Sequence, residues 1–235
     1  MSEAPLVLSV ETATRGGSIF LSRGDAQLAA RVGDPQVSQS SSLLSDINDC
    51  LEAAGRSLDE VELFACAAGP GSFTGLRIGI ATVKALAASL KRSCVGIPTL
   101  QAVAHAAGAS MQTVALLPAG RGEVFAQMFS VSDEGVVTEV DAAAHLSPER
   151  LLERYGAFKD VRWAGSGAEQ QRELLENFAE GNSHPWRFAT PETNLAKHVA
   201  ALALQALQTG KLQSPDALSA IYVRPSDAEL NAPRC

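Results

Sequence analysis

Apolar positions along the chain fall into short continuous runs and longer stretches of three- and four-residue spacing. Leu6 to Val10 is a compact apolar run, followed by a Thr- and Gly-rich turn from Thr12 to Gly17 and a second run from Ser18 to Ser22. Arg23-Gly24-Asp25 predicts a turn into a third strand, Gln27 to Val32. After Asp34-Pro35, the residues Leu43, Leu44, Ile47, Leu51 and Ala54 recur at helical spacing, which predicts a helix over 38–54 stopped by Gly55. Val61 to Ala68 reads as a buried strand, Ser72 to Leu90 as a long helix, Cys94 to Ile97 as a strand and Thr99 to Ala107 as a helix.

The second half opens in the same way. Strands are predicted at Thr113 to Leu117, Glu123 to Val131 and Val136 to Val140, with turns at Pro118 to Gly122 and Asp133 to Gly135. A helix (Pro148 to Arg154), a strand (Val161 to Ala164) and two helices (Glu169 to Phe178 and Leu195 to Leu207) follow. A three-strand opening followed by α/β alternation therefore occurs twice, roughly 107 residues apart counted from Leu6 to Thr113. The pattern predicts a duplicated α/β chain with mixed sheets, divided into 1–108 and 109–235 at the small, polar stretch from Gly108 to Gln112.

Composition narrows the function classes. With 235 residues, 46% of them hydrophobic, the chain is long enough to bury a large core, which excludes disorder as its global state. Its 19 basic and 26 acidic residues leave a net charge of −7, so the chain lacks the electrostatic footprint of an autonomous nucleic-acid binder. Cys50, Cys66, Cys94 and Cys235 form no C-x-x-C pair, which points to reduced thiols rather than a zinc or disulfide framework. Met1 to Pro5 carries no Lys or Arg, and no run reaches the roughly 18 apolar residues of a membrane span, so a cytoplasmic protein is expected.

The most informative segment runs from Ala68 through Gly69-Pro70-Gly71-Ser72-Phe73-Thr74-Gly75-Leu76-Arg77-Ile78-Gly79. It joins a strand to a helix, where backbone N–H groups can cradle phosphate. Gly75 is followed by Leu76, however, where a phosphate-binding loop needs lysine, and residues 85 to 105 hold no carboxylate for a ribose. Helical spacing gives another reading. Phe73, Leu76, Ile80, Val83, Ala87 and Leu90 draw an apolar seam, while Gly71, Gly75 and Gly79 step by four and clear a strip for a closely approaching partner helix. An interior helical glycine costs roughly 1 kcal/mol relative to alanine, so such a strip needs a reason. On this reading Gly79→Glu leaves the fold intact and blocks docking. His105, His145, His184 and His198 are scattered, and neither Ser72 nor Ser166 lies in a G-x-S-x-G elbow, which speaks against metal and hydrolase sites.

In the actin-like ATPase superfamily, whose duplicated opening the chain shares, a carboxylate and glycines on two hairpins hold metal and phosphate. Here the first turn reads Glu11-Thr12-Ala13-Thr14-Arg15-Gly16-Gly17, and the second reads Pro118-Ala119-Gly120-Arg121-Gly122-Glu123. One carboxylate remains on the first hairpin and Pro118 takes the comparable place on the second, so an ATPase set is incomplete. Leu6 to Thr12, Gly69 to Thr82, Gly120 to Phe125 and Tyr222-Val223-Arg224-Pro225 closely resemble the bacterial TsaB family, also called YeaZ, essentially end to end.

The resemblance implies a duplicated actin-like (RNase H-like) fold and a noncatalytic subunit in the formation of threonylcarbamoyladenosine beside the tRNA anticodon. It implies a catalytic paralogue, TsaD, as the heterodimer partner, an ATPase, TsaE, in the same assembly, and contact with tRNA only through the complex. No cofactor of its own is implied, ATP or ADP being left to an interface of the assembly. The interface is expected on Leu43, Ile47 and Leu51 of the first long helix, and on Gly71, Ser72, Phe73, Thr74, Gly75, Leu76, Arg77, Gly79, Ile80 and Val83 of the second. The same seam is expected to form a homodimer when the partner is absent. Three departures from the family pattern are Glu11 in place of the common Asp, the absence of the usual histidine near Gln39-Ser40-Ser41, and Ala119 near an often acidic position. The alternative is a degenerate actin-like ATPase or a peptidase-like enzyme.

Overall fold

Strands β1 (Leu6–Glu11), β2 (Ser18–Arg23) and β3 (Ala26–Val32) form an antiparallel meander, and β4 (Leu63–Gly69) and β5 (Ser93–Pro98) extend it in parallel beyond β1, giving the order β3-β2-β1-β4-β5. The structure, a computed structural model, describes residues 3–36 and 39–223. Ser38, at which the first predicted helix opens, and Arg224, Pro225 and Cys235 lie outside the described residues. Helix α1 (Gln39–Ala53) follows β3, α2 (Phe73–Ser89) joins β4 to β5, and α3 (Thr99–Ala107) leaves β5. Gly55, at φ +63°, turns the chain after α1, as the sequence predicts.

The second sheet repeats the plan. β6 (Ser110–Gly120), β7 (Glu123–Val131) and β8 (Val137–Glu139) are antiparallel, and β10 (Arg162–Ala164) and β11 (Arg187–Phe188) run parallel to β6, giving the order β11-β10-β6-β7-β8. A short strand, β9 (Ala144–Leu146), also pairs with β7. Neither β9 nor β11 is foreseen, because segments of two or three residues are too short to show a period. Helix α4 (Pro148–Tyr155) is capped by Ser147, whose Oγ accepts from the Arg150 N–H. The helix predicted at Glu169 to Phe178 is two helices, α5 (Ser166–Gln170) and α6 (Arg172–Asn182), broken where Gln171 turns its amide onto the Gly122 carbonyl at 2.7 Å.

Strand alternation divides the apolar side chains between two cores. Val114 and Leu116 of β6 face an outer core with Trp163, Tyr155 and Leu175, whereas Ala115 and Leu117 face the larger core shared with the first sheet. Helix α7 (Leu195–Gln208) crosses back to that first sheet. There the Ser9 hydroxyl donates to the Ala196 carbonyl at 2.8 Å, and the Ala196 N–H donates to Ser18 Oγ at 3.0 Å, satisfying two serines buried in otherwise apolar strands. A terminal strap continues along the β5 edge. Gln213 exchanges backbone hydrogen bonds with Cys94, Lys84 Nζ donates to the Leu218 carbonyl, and the Ile221 N–H donates to the Ala68 carbonyl. The first sheet is built from residues 6–98 and the second from residues 110–188, while α7 and the strap return to the first. Cys50, Cys66 and Cys94 are buried free thiols, and burial pushes Cys66 up to about 12, so they stay protonated and unreactive at neutral pH.

Candidate functional site

The glycine-rich passage from β4 into α2 is a clamp built against the chain's own β1–β2 turn. Ser72 caps α2 by accepting from the Gly75 N–H at 3.2 Å, while its own N–H donates to the Ala13 carbonyl at 2.8 Å. The Thr12 hydroxyl donates to the Gly75 carbonyl at 2.8 Å. A Cβ at Gly71 would strike Ala13, and a Cβ at Gly79 would overlap Thr12 Oγ1. Gly69, at φ +116°, lies against the Ile221 carbonyl of the strap. The strip of glycines therefore admits a neighbour, and that neighbour is the chain's own turn and not a partner helix.

The residues expected at a partner interface separate by exposure. Leu43, Ile47, Leu51, Gly75, Leu76, Gly79, Ile80 and Val83 are buried inside the chain, and Gly71 is half-buried, so the apolar seam is the inward face of α1 and α2. The physical reason is that a helix on an open sheet must bury its own stripe before it has one to offer. Gly79→Glu is accordingly corrected from a docking mutation to a folding one. Ser72, Phe73, Thr74 and Arg77 are exposed. Phe73 is 40% exposed, its ring 5.8 Å from that of Tyr222, with the Arg77 guanidinium 3.9 Å from its centroid. From this cluster an outward strip of small side chains, Thr74, Ala81, Ala85 and Ala88, runs down α2, and on α1 Leu44 is 65% exposed. Sequence reasoning missed Leu44, Ala81, Ala85 and Tyr222 as surface. The second helical stripe of small residues was its only trace, and the Phe73–Tyr222 pair bridges positions far apart in the chain.

The two hairpins that would hold metal and phosphate in an ATPase are differently engaged. Glu11, at the end of β1, is 1% exposed; its carboxylate accepts from the Thr14 N–H at 2.7 Å and from the Thr14 hydroxyl at 2.6 Å. Burial holds its pKa above the usual carboxylate range, against the opposing effect of those hydrogen bonds. Glu11 thus braces its own turn. On the second hairpin, Pro118 is exposed and Arg121 sits at the turn with φ +53°, while Glu123 pairs with His145 at 2.9 Å. Among the described residues no group of three His, Cys, Asp or Glu side chains is placed to hold a metal ion, and no helix is long and apolar enough to cross a membrane.

A family model described as TsaD, tRNA N6-adenosine threonylcarbamoyltransferase, matches residues 37–221. The tRNA threonylcarbamoyladenosine biosynthesis protein TsaB of Escherichia coli (strain K12) is 30% identical over 151 residues. The chain belongs to this family and is similar to TsaB (YeaZ) proteins. That alignment covers 63% of the chain and 65% of the E. coli protein, so the chain spans a little under two thirds of that relative's length; for the TsaB protein of Haemophilus influenzae, 32% identical, the share is 51% of each. A Pseudomonas aeruginosa protein with similarity to the peptidase YeaZ has a solved structure that is 26% identical, with a TM-score of 0.76 over 94% of this chain and 100% of that one. Two mixed sheets of matching strand order make the fold the duplicated actin-like one that the sequence resemblance implies.

Proposed function

We propose that this chain is a noncatalytic scaffold subunit of the bacterial assembly that forms threonylcarbamoyladenosine beside the tRNA anticodon. It docks a TsaD-type paralogue through the outward face of α1 and α2. The observation that carries the reading is the exposed strip of Thr74, Ala81, Ala85 and Ala88 on α2, small enough for close approach, with the exposed apolar Phe73–Tyr222 pair at its start and exposed Leu44 on α1. The names of the TsaB relatives support the pathway, and the match to the TsaD model supports a partner of the same fold.

In this reading a TsaE-type ATPase joins the assembly, tRNA is contacted through the complex in the cytoplasm, and any ATP or ADP belongs to an interface of the assembly. Without the paralogue, the same face accepts a second copy of the chain in a two-fold dimer. Glu11, spent on Thr14, and Pro118 on the second hairpin weigh against the alternative of an autonomous ATPase. The test is to mix the purified chain with a TsaD-type paralogue under light scattering and to reconstitute the modification with and without it. A stable heterodimer required for modification is expected. Failure to associate refutes docking, and magnesium-dependent ATP hydrolysis lost in Glu11→Ala refutes the noncatalytic role.

A further inference from the structure

A cleft of about 320 Å³ opens between the two sheets, on the side of the molecule bounded by the β1–β2 turn, α3, the β10–α5 junction and the segment leading into α7. Its floor is aliphatic, formed by Val103, Ala107, Leu117, Ala164 and Leu195. Its mouth carries one cation, Arg15, on the exposed tip of the β1–β2 turn, which meets no carboxylate among the described residues. Neutral hydroxyls of Ser166, Thr190 and Thr193 complete the polar rim. The carboxylate of Glu192, also on the rim, is committed elsewhere: it accepts from the Asn194 N–H at 2.8 Å and meets His198 Nε2 at 3.3 Å.

We propose that this cleft binds a compact, largely apolar carboxylate, with its body on the aliphatic floor and its anion on Arg15. A volume at the low end of the roughly 300–1,000 Å³ of ligand pockets suits a small ligand. The mostly apolar lining selects a hydrocarbon body, and the guanidinium selects a planar anion it can grip with two parallel hydrogen bonds. A nucleotide fits less well. The lining contains no lysine, and the Thr14 N–H on the β1–β2 turn is already given to Glu11. The site lies apart from the outward face of α2 and goes beyond the scaffold role.

Isothermal titration of the full chain with octanoate tests the proposal, with octylammonium and AMP as comparison ligands. One saturable site per chain is expected for octanoate alone, weakened about tenfold in Arg15→Gln by the loss of the charge-assisted contact. Ala107→Phe, which fills the floor, is expected to abolish binding; if that variant does not fold, Thr190→Trp at the exposed rim blocks the same mouth. Equal binding of octanoate and octylammonium, binding that survives both blocking variants, or binding of AMP in place of octanoate overturns it. Arg15→Gln should still associate with a TsaD-type paralogue, so failure of this site and failure of the scaffold reading are read separately.

Discussion

The two sheets share one strand order and use it for different ends. The first carries the long helices α1 and α2, of 15 and 17 residues, and leaves Leu44 and Phe73 in solvent. The second carries α4, α5 and α6, of 8, 5 and 11 residues, and closes its outer face with aromatic contacts. Trp163 packs edge-on to Tyr155 and Trp186 at centroid distances of 6.2 and 5.0 Å, and Phe178 stacks on Trp186 at 5.4 Å. Strand order in a duplicated chain follows from backbone pairing, whereas the helical layer is free to diverge. On the first sheet the helices are long enough to have two distinct faces, one for the core and one for solvent.

The strongest way to break this contrast is to attack each half at its core. Gly79→Glu should unfold the first half, because its side chain has no space beside Thr12 and its charge no solvent. Trp163→Ala should empty the aromatic core of the second, at a cost of about 3–5 kcal/mol. Urea melts followed by fluorescence and circular dichroism measure both, and a Gly79→Glu protein that melts normally would restore the view that the glycine strip faces outward. Next in size, Leu44→Asp should leave the melt unchanged, since this residue is exposed, and weaken partner binding by about 1–3 kcal/mol.

A pH effect sharpens the comparison where α3 and α7 join the halves. His105 Nδ1 lies 2.8 Å from His198 Nδ1, and burial, then the neighbouring histidine, brings His105 down to about 4; burial likewise lowers His198, against the pull of Glu192. For a basic group with a depressed folded pKa, the stability is present above the unfolded value near 6.5 and is lost as pH falls toward 4. Partial exposure of the pair reduces the effect to about 1–2 kcal/mol. Urea midpoints from pH 7.5 to 4.5 should fall for the parent and fall less for His198→Gln; parallel slopes would remove the pair from the account. Smallest is Phe73→Ala, expected to cost under about 1 kcal/mol in folding, because the ring is half in water and its contacts with Arg77 and Tyr222 are at the surface.

Much of the fold was legible because long apolar runs and helical stripes carry their own period. Thr99–Ala107 and Glu123–Val131 fall at their predicted limits, and α2 lies one residue inside its predicted ends because Ser72 and Leu90 are its caps. The return of α7 to the first sheet was not legible, since an apolar helix does not state which sheet it covers. Nor was the direction of the glycine strip: a step of four marks close approach, and the identity of the approaching group, Thr12 and Ala13, depends on a turn some sixty residues earlier. The exposed strip of α2 was hidden by the stronger signal of its inward seam. Alanine suits a helix wherever it stands, so Ala81 and Ala85 announce a surface only once the other face is seen to be buried.

The most direct measurement is the affinity of a TsaD-type paralogue for three versions of this chain, each checked by thermal melting on the same sample. Ala81→Glu places a charge in the middle of the outward α2 strip, and Glu173→Arg places one on exposed α6 of the second half as a control. The account predicts three matching melts, full binding by the parent and by Glu173→Arg, and a loss of about a hundredfold or more for Ala81→Glu. Unchanged binding by Ala81→Glu would contradict it.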